Sequence, residues 1–502
     1  MKKYLIALTA LMAASAGAQE IDLTQEAISD IELDYKGAAV TSNRVGVYSD
    51  LTYWNFFAVR YRGWNGGDGA YSTTLPDGNT LWTFADSHFG LISENRERKH
   101  SLNNRPHSAA MIQTGEQNED DFLTLNEYAG TSIANLKTYY KGKEWIAHPR
   151  TSLTEDRVNE GEIAQDFFFR PDDATLLKRA GKPVVQVILG GYSGEEGRNE
   201  TAIAEFSLEG TTGEEGYMQL TDMVRYAVPY VTDFGYQMLE DDGHVYLYGR
   251  IKSTSNFGGS YPVVARSASL DLRSPWEYYV KDADGSFKWQ REVPSVEQLR
   301  TSGIVSSTRL TYYSVFRYGG KYYMCYQDTN YNTIWIASSD TPYGPFSSRK
   351  RLFNIESAQQ NATRVTVHPQ LSRMGELVIS YNVDPVDITV VSKGTDDMAI
   401  ETLIEGDERN FYDWVSADLD QTHFLRVFNW QTLFNVENVG PIEDAGMEAY
   451  VTTSIDDLTL EPAPQPVGIY DLQGRLLAKD ASQLPALGKG IYIVNGRKVA
   501  VK

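Results

Sequence analysis

The stretch Lys321–Tyr326 (KYYMCY) leads into Ile336–Ser339 (IASS) and then Pro345–Phe346. An earlier part of the chain has the same order of motifs, at His244–Tyr248, Val264–Ser267 and Pro275–Trp276. Positions 265 and 337 correspond and are 72 residues apart, which is enough for four strands and their loops. Residues 46–440 would hold about five such units, and radial repetition of four-stranded sheets makes a β-propeller.

Short aromatic or β-branched runs, separated by Gly, Asp, Asn and Pro, recur along the chain, and long helical periodicity is scarce. These runs are Thr80–Phe84, Val184–Leu189, Val245–Gly249, Lys321–Tyr326, Ile334–Ala337, Glu376–Tyr381 and Phe424–Phe428. Such a pattern predicts an all-β fold. We predict a five-bladed β-propeller with a small C-terminal β appendage, and a large two-sheet sandwich is the competing arrangement.

The predicted organisation has five parts. They are a signal peptide at 1–19, an N-terminal segment at 20–45, the propeller at 46–456, a Pro-rich linker at 457–467 and a C-terminal β segment at 468–502. The first 19 residues contain two lysines, an apolar run at Leu5–Ala14 and the small residues Ala16–Ala18, which is typical of a secretory signal. We therefore expect an exported protein that is periplasmic, on the cell surface or extracellular.

The net charge, the hydropathy and the single cysteine exclude several classes of partner and of site. The net charge of −21 argues against nucleic acid, whose phosphates would be repelled. No segment beyond the signal is long and apolar enough to predict a membrane span. Cys325 is the single cysteine; it cannot form an internal disulfide, and we interpret it as a buried strand residue rather than a catalytic thiol.

Two carboxylates are the first candidates for chemistry. Asp68 lies in Gly67–Ala70 (GDGA), and Asp86 follows the strand-like run Thr80–Phe84. If the two runs that flank the turn at Leu75–Asn79 pair antiparallel, both acids lie on the rim away from that turn. Two carboxyl groups facing one cleft are the minimum equipment for cleaving a glycosidic bond. The structural alternatives are a turn residue for Asp68 and a strand-end cap for Asp86.

Further residues could line the same pocket. His88 lies two residues after Asp86 and would share its strand face, and the aromatic rings of Trp64 and Tyr236 could stack on a sugar. The remaining candidates are His107, Arg266, His368, Tyr381, Asn382, Asp166 and Asp328, each with a structural role as its alternative. The histidines lack the spacing of a zinc motif, so we predict no catalytic metal and no cofactor, and we leave a structural calcium ion open.

Several motifs together carry a resemblance to a known group. They are GDGAYSTTLPDGNTLWTFADSHFG, HVYLYGR with VARS and SPWEYY, YSVFRYGGKYYMCYQD with ASSDTPYGPF, and VHPQLSRMGELVISYN. Over residues 46–440 the chain resembles five-bladed β-propeller proteins of Bacteroidetes and actinobacteria, some of which are endo-D-arabinanases of glycoside hydrolase family 183. It resembles arabinanase- and fructanase-type propeller glycosidases more distantly. The resemblance implies Asp68 and Asp86 as the catalytic pair, although Ala85–Ser87 and Pro106–Ser108 depart from the usual flanking residues.

The C-terminal segment has its own resemblance. IYDLQGR and GKGIYIVNGRKV, at 469–475 and 488–499, resemble the second half of the sorting tails of secreted Bacteroidetes proteins, which implies a contact with secretion machinery. A simple terminal β appendage is the alternative.

Three possibilities follow as expectations. The first is a secreted or surface glycoside hydrolase that cleaves a polysaccharide, with an arabinan-like furanoside favoured. Asp86 would be nucleophile or base and Asp68 general acid, with the roles exchangeable. The second is a non-catalytic glycan-binding propeller of a polysaccharide-utilisation system, and a structural surface protein is the third possibility.

Overall fold

The structure is a computed structural model in which part of the chain is described. The described residues are 38–39, 45–58, 60, 62–92, 97–99, 103–115, 121–128, 141–146, 167–193, 197–214, 216–228, 233–254, 259–305, 310–328, 333–354, 360–373, 375–385, 389–393, 398–402, 414–417, 420–440, 442–443, 469–470, 476–478, 490–494 and 497–501. The chain divides into two compact units, Met1–Tyr450 and Val451–Lys502. The predicted signal peptide, the linker and Asp166 lie outside the described residues, so these predictions stay predictions.

The described residues of the first unit lie mostly in strands. They are β1 (Ala38–Ala39), β2 (Gly46–Ser49), β3 (Arg62–Gly67), β4 (Tyr71–Thr74), β5 (Thr80–Phe84), β6 (Ser87–Leu91), β7 (Glu97–Lys99), β8 (Ala109–Gln113), β9 (Phe122–Thr124), β10 (Phe168–Arg179), β11 (Lys182–Ser193), β12 (Gly197–Leu208), β13 (Met218–Val228), β14 (Gln237–Asp241), β15 (His244–Lys252), β16 (Ser260–Ser267), β17 (Trp276–Lys281), β18 (Phe287–Gln290), β19 (Leu310–Tyr318), β20 (Lys321–Asp328), β21 (Thr333–Ser339), β22 (Ser347–Asn354), β23 (Gln360–Val367), β24 (Glu376–Pro385), β25 (Thr389–Lys393), β26 (Met398–Thr402), β27 (Trp414–Ser416) and β28 (Gln421–Phe428). The described helices are α1 (Leu51–Ala58), α2 (Val296–Thr301) and two 3₁₀ turns, Pro369–Leu371 and Trp430–Phe434. The all-β prediction is confirmed, and every aromatic run named above lies in a strand.

Antiparallel sheets form the body of this unit. Three have four strands, in the orders β4-β5-β8-β9, β10-β11-β12-β13 and β2-β28-β24-β23, and the largest has ten. The ten-stranded sheet contains β14-β15-β16-β17 and β19-β20-β21-β22, which meet through the single pair Ser260 and Leu310. Because these two groups form one sheet by hydrogen bonding, the count of five blades stays a prediction.

The inner strands surround a central channel. β10 contacts β4 and β14, and β19 contacts β14 and β23. Residues of all five of these strands line one cavity of about 60 Å³, including Ser72, Thr175, Gln237, Val315 and Thr366. Residues that precede or begin these strands can therefore meet at one end of the channel, as in a propeller.

The chain closes on itself through its last sheet. β2, from the start of the unit, pairs with β28, which also pairs with β24. Next to this seam, the buried Arg426 side chain donates to the carboxylates of Asp50, which follows β2, and Glu376, which begins β24. Helix α1 covers the junction with the first sheet, where Phe57 packs edge-on against Trp64 and Trp82.

The second unit is a small four-stranded sheet. Its strands are β29 (Ile469–Tyr470), β30 (Leu476–Ala478), β31 (Gly490–Val494) and β32 (Arg497–Val501), in the order β30-β29-β31-β32. β31 and β32 form a hairpin in which Val494 pairs with Arg497. None of the helices in the described part of the chain has the length and apolar character needed to cross a membrane.

Candidate active site

Asp68 and Asp86 lie side by side at one edge of the first sheet. Asp68 precedes β4, Asp86 follows β5, and these strands pair antiparallel. The N–H of Asp68 donates to the carbonyl of Asp86 over 2.8 Å, and the N–H of Ala85 donates to the carbonyl of Asp68 over 2.9 Å. Gly69 has a φ of +76°, a conformation that glycine adopts at no steric cost. The local hairpin thus brings the two predicted acids together.

An arginine from the last sheet holds the Asp68 carboxylate. Arg364 on β23 donates from Nε to Oδ1 over 2.9 Å and from Nη2 to Oδ2 over 2.6 Å. Arg364 has a φ of +58° and lies where the register of β23 against β24 shifts. A non-glycine residue in this region costs on the order of 1–3 kcal/mol and is typical of functional sites. The strain therefore falls on the residue that reaches Asp68.

Asp86 lies among cationic and hydrogen-bonding groups. Arg170 on β10 donates to both of its oxygens over 3.0 and 2.6 Å, and His107 Nδ1 lies 2.7 Å from Oδ1. Arg105 Nη2 lies 3.9 Å from Oδ2. Burial raises the pKa of Asp86, but the His107 hydrogen bond and the two arginine charges outweigh it, so the pKa is held well below its usual range. Asp86 is therefore ionised at neutral pH.

Asp172 has the opposite electrostatic character. It is buried on β10, two residues after Arg170, and Arg198 Nη1 donates to its Oδ2 over 2.7 Å. Burial raises the pKa of Asp172 more than the charges of Arg198 and Arg364 lower it, so the pKa lies above its usual range. The same arginine, Arg364, thus lies close enough to influence Asp172 while it binds Asp68.

A further ion pair, Arg250 with Asp233, is packed among aromatic rings of the neighbouring strands. Arg250 bonds Asp233 over 3.2 Å, and its guanidinium lies over the rings of Tyr236 and Tyr312 at 5.0 and 5.1 Å. Tyr71, the first residue of β4, packs edge-on against Tyr236. These contacts connect β15 and the residues before β14 with β19 and with β4.

The buried Asp420 binds two side chains close to Asp86. Asp420, just before β28, accepts from Arg105 Nη2 over 2.9 Å and from His88 Nε2 over 2.9 Å. Burial lowers the pKa of His88 to about 4, so His88 is a neutral donor. Burial raises the pKa of Asp420, but the hydrogen bond from His88 and the charge of Arg105 outweigh it and lower the pKa overall. His88 therefore holds the acid that orients Arg105, and its predicted contact with a substrate stays a prediction.

Asn382 fixes the loop that carries Asp68. Its Oδ1 accepts from the N–H of Gly69 over 2.9 Å, and its Nδ2 donates to the carbonyl of Gly67 over 2.7 Å. The side chain is buried on β24. Of the predicted substrate-binding residues, Asn382 thus acts by positioning a catalytic candidate.

We expect Asn382→Ala to lower the free energy of unfolding by about 1–3 kcal/mol, because two buried backbone groups lose their partners. Denaturant titration followed by tryptophan fluorescence measures this. Asn79→Ala, in the turn at the far end of the hairpin, is the matched control and should change stability by less than about 0.5 kcal/mol. Equal stability of Asn382→Ala and the unmodified protein would contradict the positioning role.

Three predicted ligand residues are corrected by their burial. Trp64, His368 and Tyr381 are each 0% exposed. Trp64 packs against Phe57 and Phe84. His368 bonds the hydroxyls of Ser72 and Ser380 over 2.6 and 2.8 Å, and burial lowers its pKa to about 3. Tyr381 stacks on His423. Rings enclosed by the core cannot stack on or bind a sugar.

Three further candidates also have structural contacts. Tyr236 is 3% exposed, so its ring supports the site beneath Arg250 and offers no face to a sugar. Arg266 donates twice to Glu277 and lies over Trp289. Asp328 accepts from Trp335 Nε1 over 3.3 Å. The burial of Tyr236 contradicts its predicted stacking on a sugar, whereas a contact of Arg266, whose side chain is 21% exposed, with substrate stays a prediction.

Sequence reasoning missed the two arginines that hold the acids, Arg170 and Arg364, and the two further buried aspartates, Asp172 and Asp420. All four are distant in sequence, and Arg364 is 296 residues from Asp68. No local motif marks them. Among the described residues, no group of three or more His, Cys, Asp or Glu side chains is arranged to hold a metal ion.

Comparisons with known proteins give the family. A protein from Bacteroides ovatus ATCC 8483, named provisionally as a hydrolase, superposes with a TM-score of 0.65 at 34% identity, covering 80% of this chain and 94% of its own. CoXyl43, a GH43 β-xylosidase/α-arabinofuranosidase from a compost metagenome, superposes with a TM-score of 0.32 at 12% identity. The match covers 67% of this chain and 94% of CoXyl43. The GH43_1 enzyme of Xanthomonas citri complexed with xylotriose has a TM-score of 0.32 at 15% identity, and the match covers 70% of this chain and 93% of that enzyme.

The last two scores are too low to support an argument about this chain. No curated protein matches it. Residues 50–430 match the family described as Domain of unknown function (DUF5005). The chain belongs to that family.

Proposed function

We propose that this protein is a glycoside hydrolase whose chemistry takes place at the Asp68–Asp86 end of the channel. The observation that carries the proposal is the grouping of three carboxyl groups around two arginines: Arg364 binds Asp68, Arg170 binds Asp86, and Asp172 lies two residues after Arg170 on β10. Within this group the pKa of Asp86 is lowered and that of Asp172 is raised. Glycoside hydrolysis needs one ionised and one protonated carboxyl group. The hydrolase name of the Bacteroides ovatus relative supports the same reaction class.

The roles follow from the electrostatics. Asp86, ionised and bound to Arg170, belongs to the side of the reaction on which the attacking water is activated. Asp68 is bound through both oxygens to Arg364, so its carboxylate is fully engaged in a charge-assisted pair. Asp172 keeps a proton more readily because it is buried, so it replaces Asp68 as the preferred proton donor to the leaving oxygen.

An arabinan-like furanoside is the favoured substrate, because the first-sheet motif resembles that of endo-D-arabinanases. Export to the periplasm, cell surface or medium, and a contact of the C-terminal segment with secretion machinery, belong to the same proposal. Both rest on the sequence patterns at the two ends of the chain.

The proton donor can be identified by the leaving group. We expect Asp172→Asn to lower kcat on an arabino-oligosaccharide by about 10²- to 10⁴-fold. The loss should be much smaller on a nitrophenyl arabinofuranoside, because nitrophenolate departs without protonation. Steady-state kinetics on both substrates measure the difference.

Asp68→Asn is the matched comparison, and it should slow both substrates alike because it disturbs Arg364. A leaving-group dependence in Asp68→Asn and none in Asp172→Asn would return the donor role to Asp68. Unchanged kinetics in both variants would contradict the site.

A non-catalytic glycan-binding role is the second candidate. One observation favours it: Asp68 and Asp86 each have both oxygens engaged by an arginine. Carboxylates held this way can orient guanidinium groups toward sugar hydroxyls. Binding of an oligosaccharide by calorimetry with no product would support this role.

A further inference from the structure

Three contacts fix His107, two through its ring and one through its backbone. Its Nδ1 lies 2.7 Å from Asp86 Oδ1, and its plane stacks on Phe168 with centroids 3.6 Å apart and an angle of 18°. Its backbone N–H donates to Glu144 Oε1 over 2.9 Å. The ring therefore has one orientation relative to the Asp86 carboxylate, and its position is set by the first and second sheets together.

The exposed group in this pair is the histidine. The His107 side chain is 35% exposed, whereas that of Asp86 is 10% exposed. Both Asp86 oxygens also accept from Arg170. With both oxygens bonded by Arg170 and Oδ1 also by His107, this carboxylate has little freedom to approach an anomeric carbon or a water molecule. The imidazole beside it has that access.

The tautomer follows from the hydrogen-bond network. An ionised carboxylate can only accept, so the His107 nitrogen that faces Asp86 must carry a proton. In the neutral ring the other nitrogen, Nε2, is then an acceptor, and it has no hydrogen-bond partner within the described part of the chain. A carboxylate that orients a histidine and stabilises its imidazolium form is a recurring arrangement in general-base catalysis.

We propose that His107 Nε2 is the catalytic base of the hydrolysis and that Asp86 is its positioning residue. The inference rests on the proposed glycoside hydrolase function. Nε2 takes one proton from a water molecule as the water oxygen forms a bond to the anomeric carbon. The glycosidic C–O bond breaks with its electron pair going to the leaving oxygen, which receives a proton from the carboxyl donor. The imidazolium then loses its proton to solvent, and solvent reprotonates the donor.

This step predicts the stereochemistry. Direct attack of water opposite the leaving group inverts the anomeric centre, whereas retention needs a covalent intermediate on a carboxylate. Proton NMR of the first-formed sugar during turnover reports which anomer appears. Inversion is expected, and retention would overturn the assignment of His107.

Chemical rescue tests His107 itself. We expect His107→Ala to lower kcat by about 10²- to 10⁴-fold. Added imidazole should raise the kcat of this variant at least tenfold, because it can occupy the space beside Asp86. His107→Gln, which keeps an N–H donor toward Asp86 but no base, should be as slow as His107→Ala. Circular dichroism and the thermal midpoint establish that both variants are folded.

His244→Ala is the matched control, because His244 Nδ1 bonds the carbonyl of Ser267 over 2.7 Å. It should keep full activity and show no response to imidazole. Full activity in His107→Gln, or a slow His107→Ala that imidazole does not restore, would overturn the inference and leave the hydrolase function standing. An unmodified protein inactive on every glycan tried would overturn both.

Discussion

Arg426→Ala should lower the free energy of unfolding by about 3–5 kcal/mol. Arg426 is buried and pairs with Asp50 and Glu376, which are buried as well. Removing the guanidinium leaves two carboxylates without their cation in a region of low dielectric constant, and the desolvation cost is no longer offset. The loss falls at the seam where β2 from the beginning of the unit meets β28 and β24.

Denaturant titration, followed by tryptophan fluorescence, measures this change. Arg300→Ala is the matched control, because its partner Glu297 has an 81% exposed side chain, and exposed pairs contribute about 0–1 kcal/mol. A loss below 1 kcal/mol in Arg426→Ala would show that this triad does not stabilise the seam.

Asp86→Asn should lower kcat by about 10³- to 10⁴-fold with little change in KM. Asparagine keeps the shape of the side chain but loses the charge that pairs with Arg170. Its amide can also select the wrong tautomer of His107, an effect of this size in other carboxylate–histidine pairs. Steady-state kinetics on an oligosaccharide substrate measure the loss.

Asp241→Asn is the matched control, because Asp241 also pairs with an arginine, Arg317, over 3.1 Å. Asp241 is the last residue of β14, and none of its described contacts involves Asp68 or Asp86. It should retain full kcat. An Asp86→Asn variant with full kcat would remove Asp86 from the chemistry.

Local sequence was enough to predict the hairpin that joins Asp68 and Asp86. Two strand-like runs and an Asp-Gly turn lie within about twenty residues, so pairing rules alone place both acids at one edge. The repeat of aromatic strands predicted an all-β fold for the same reason, because turn residues and β-branched runs act over short distances.

The partners of the acids could not be predicted in this way. Arg170 is 84 residues from Asp86, and Arg364 is 296 from Asp68. Which residues meet depends on how separate sheets are arranged around the channel, and no periodicity encodes that arrangement. The error over Trp64 has a related cause: an indole suits a sugar platform and a β-sheet core equally well, and only the packing of α1 over it decides between them.

The measurement that tests the central claim most directly is product release from a polysaccharide panel that includes arabinan. The unmodified protein is incubated with each glycan, new reducing ends are counted, and the products are identified by mass. We expect defined oligosaccharides to accumulate with time from at least one glycan, and Asp86→Asn to abolish nearly all of this release. Tight glycan binding with no product would contradict the hydrolase and leave the glycan-binding role.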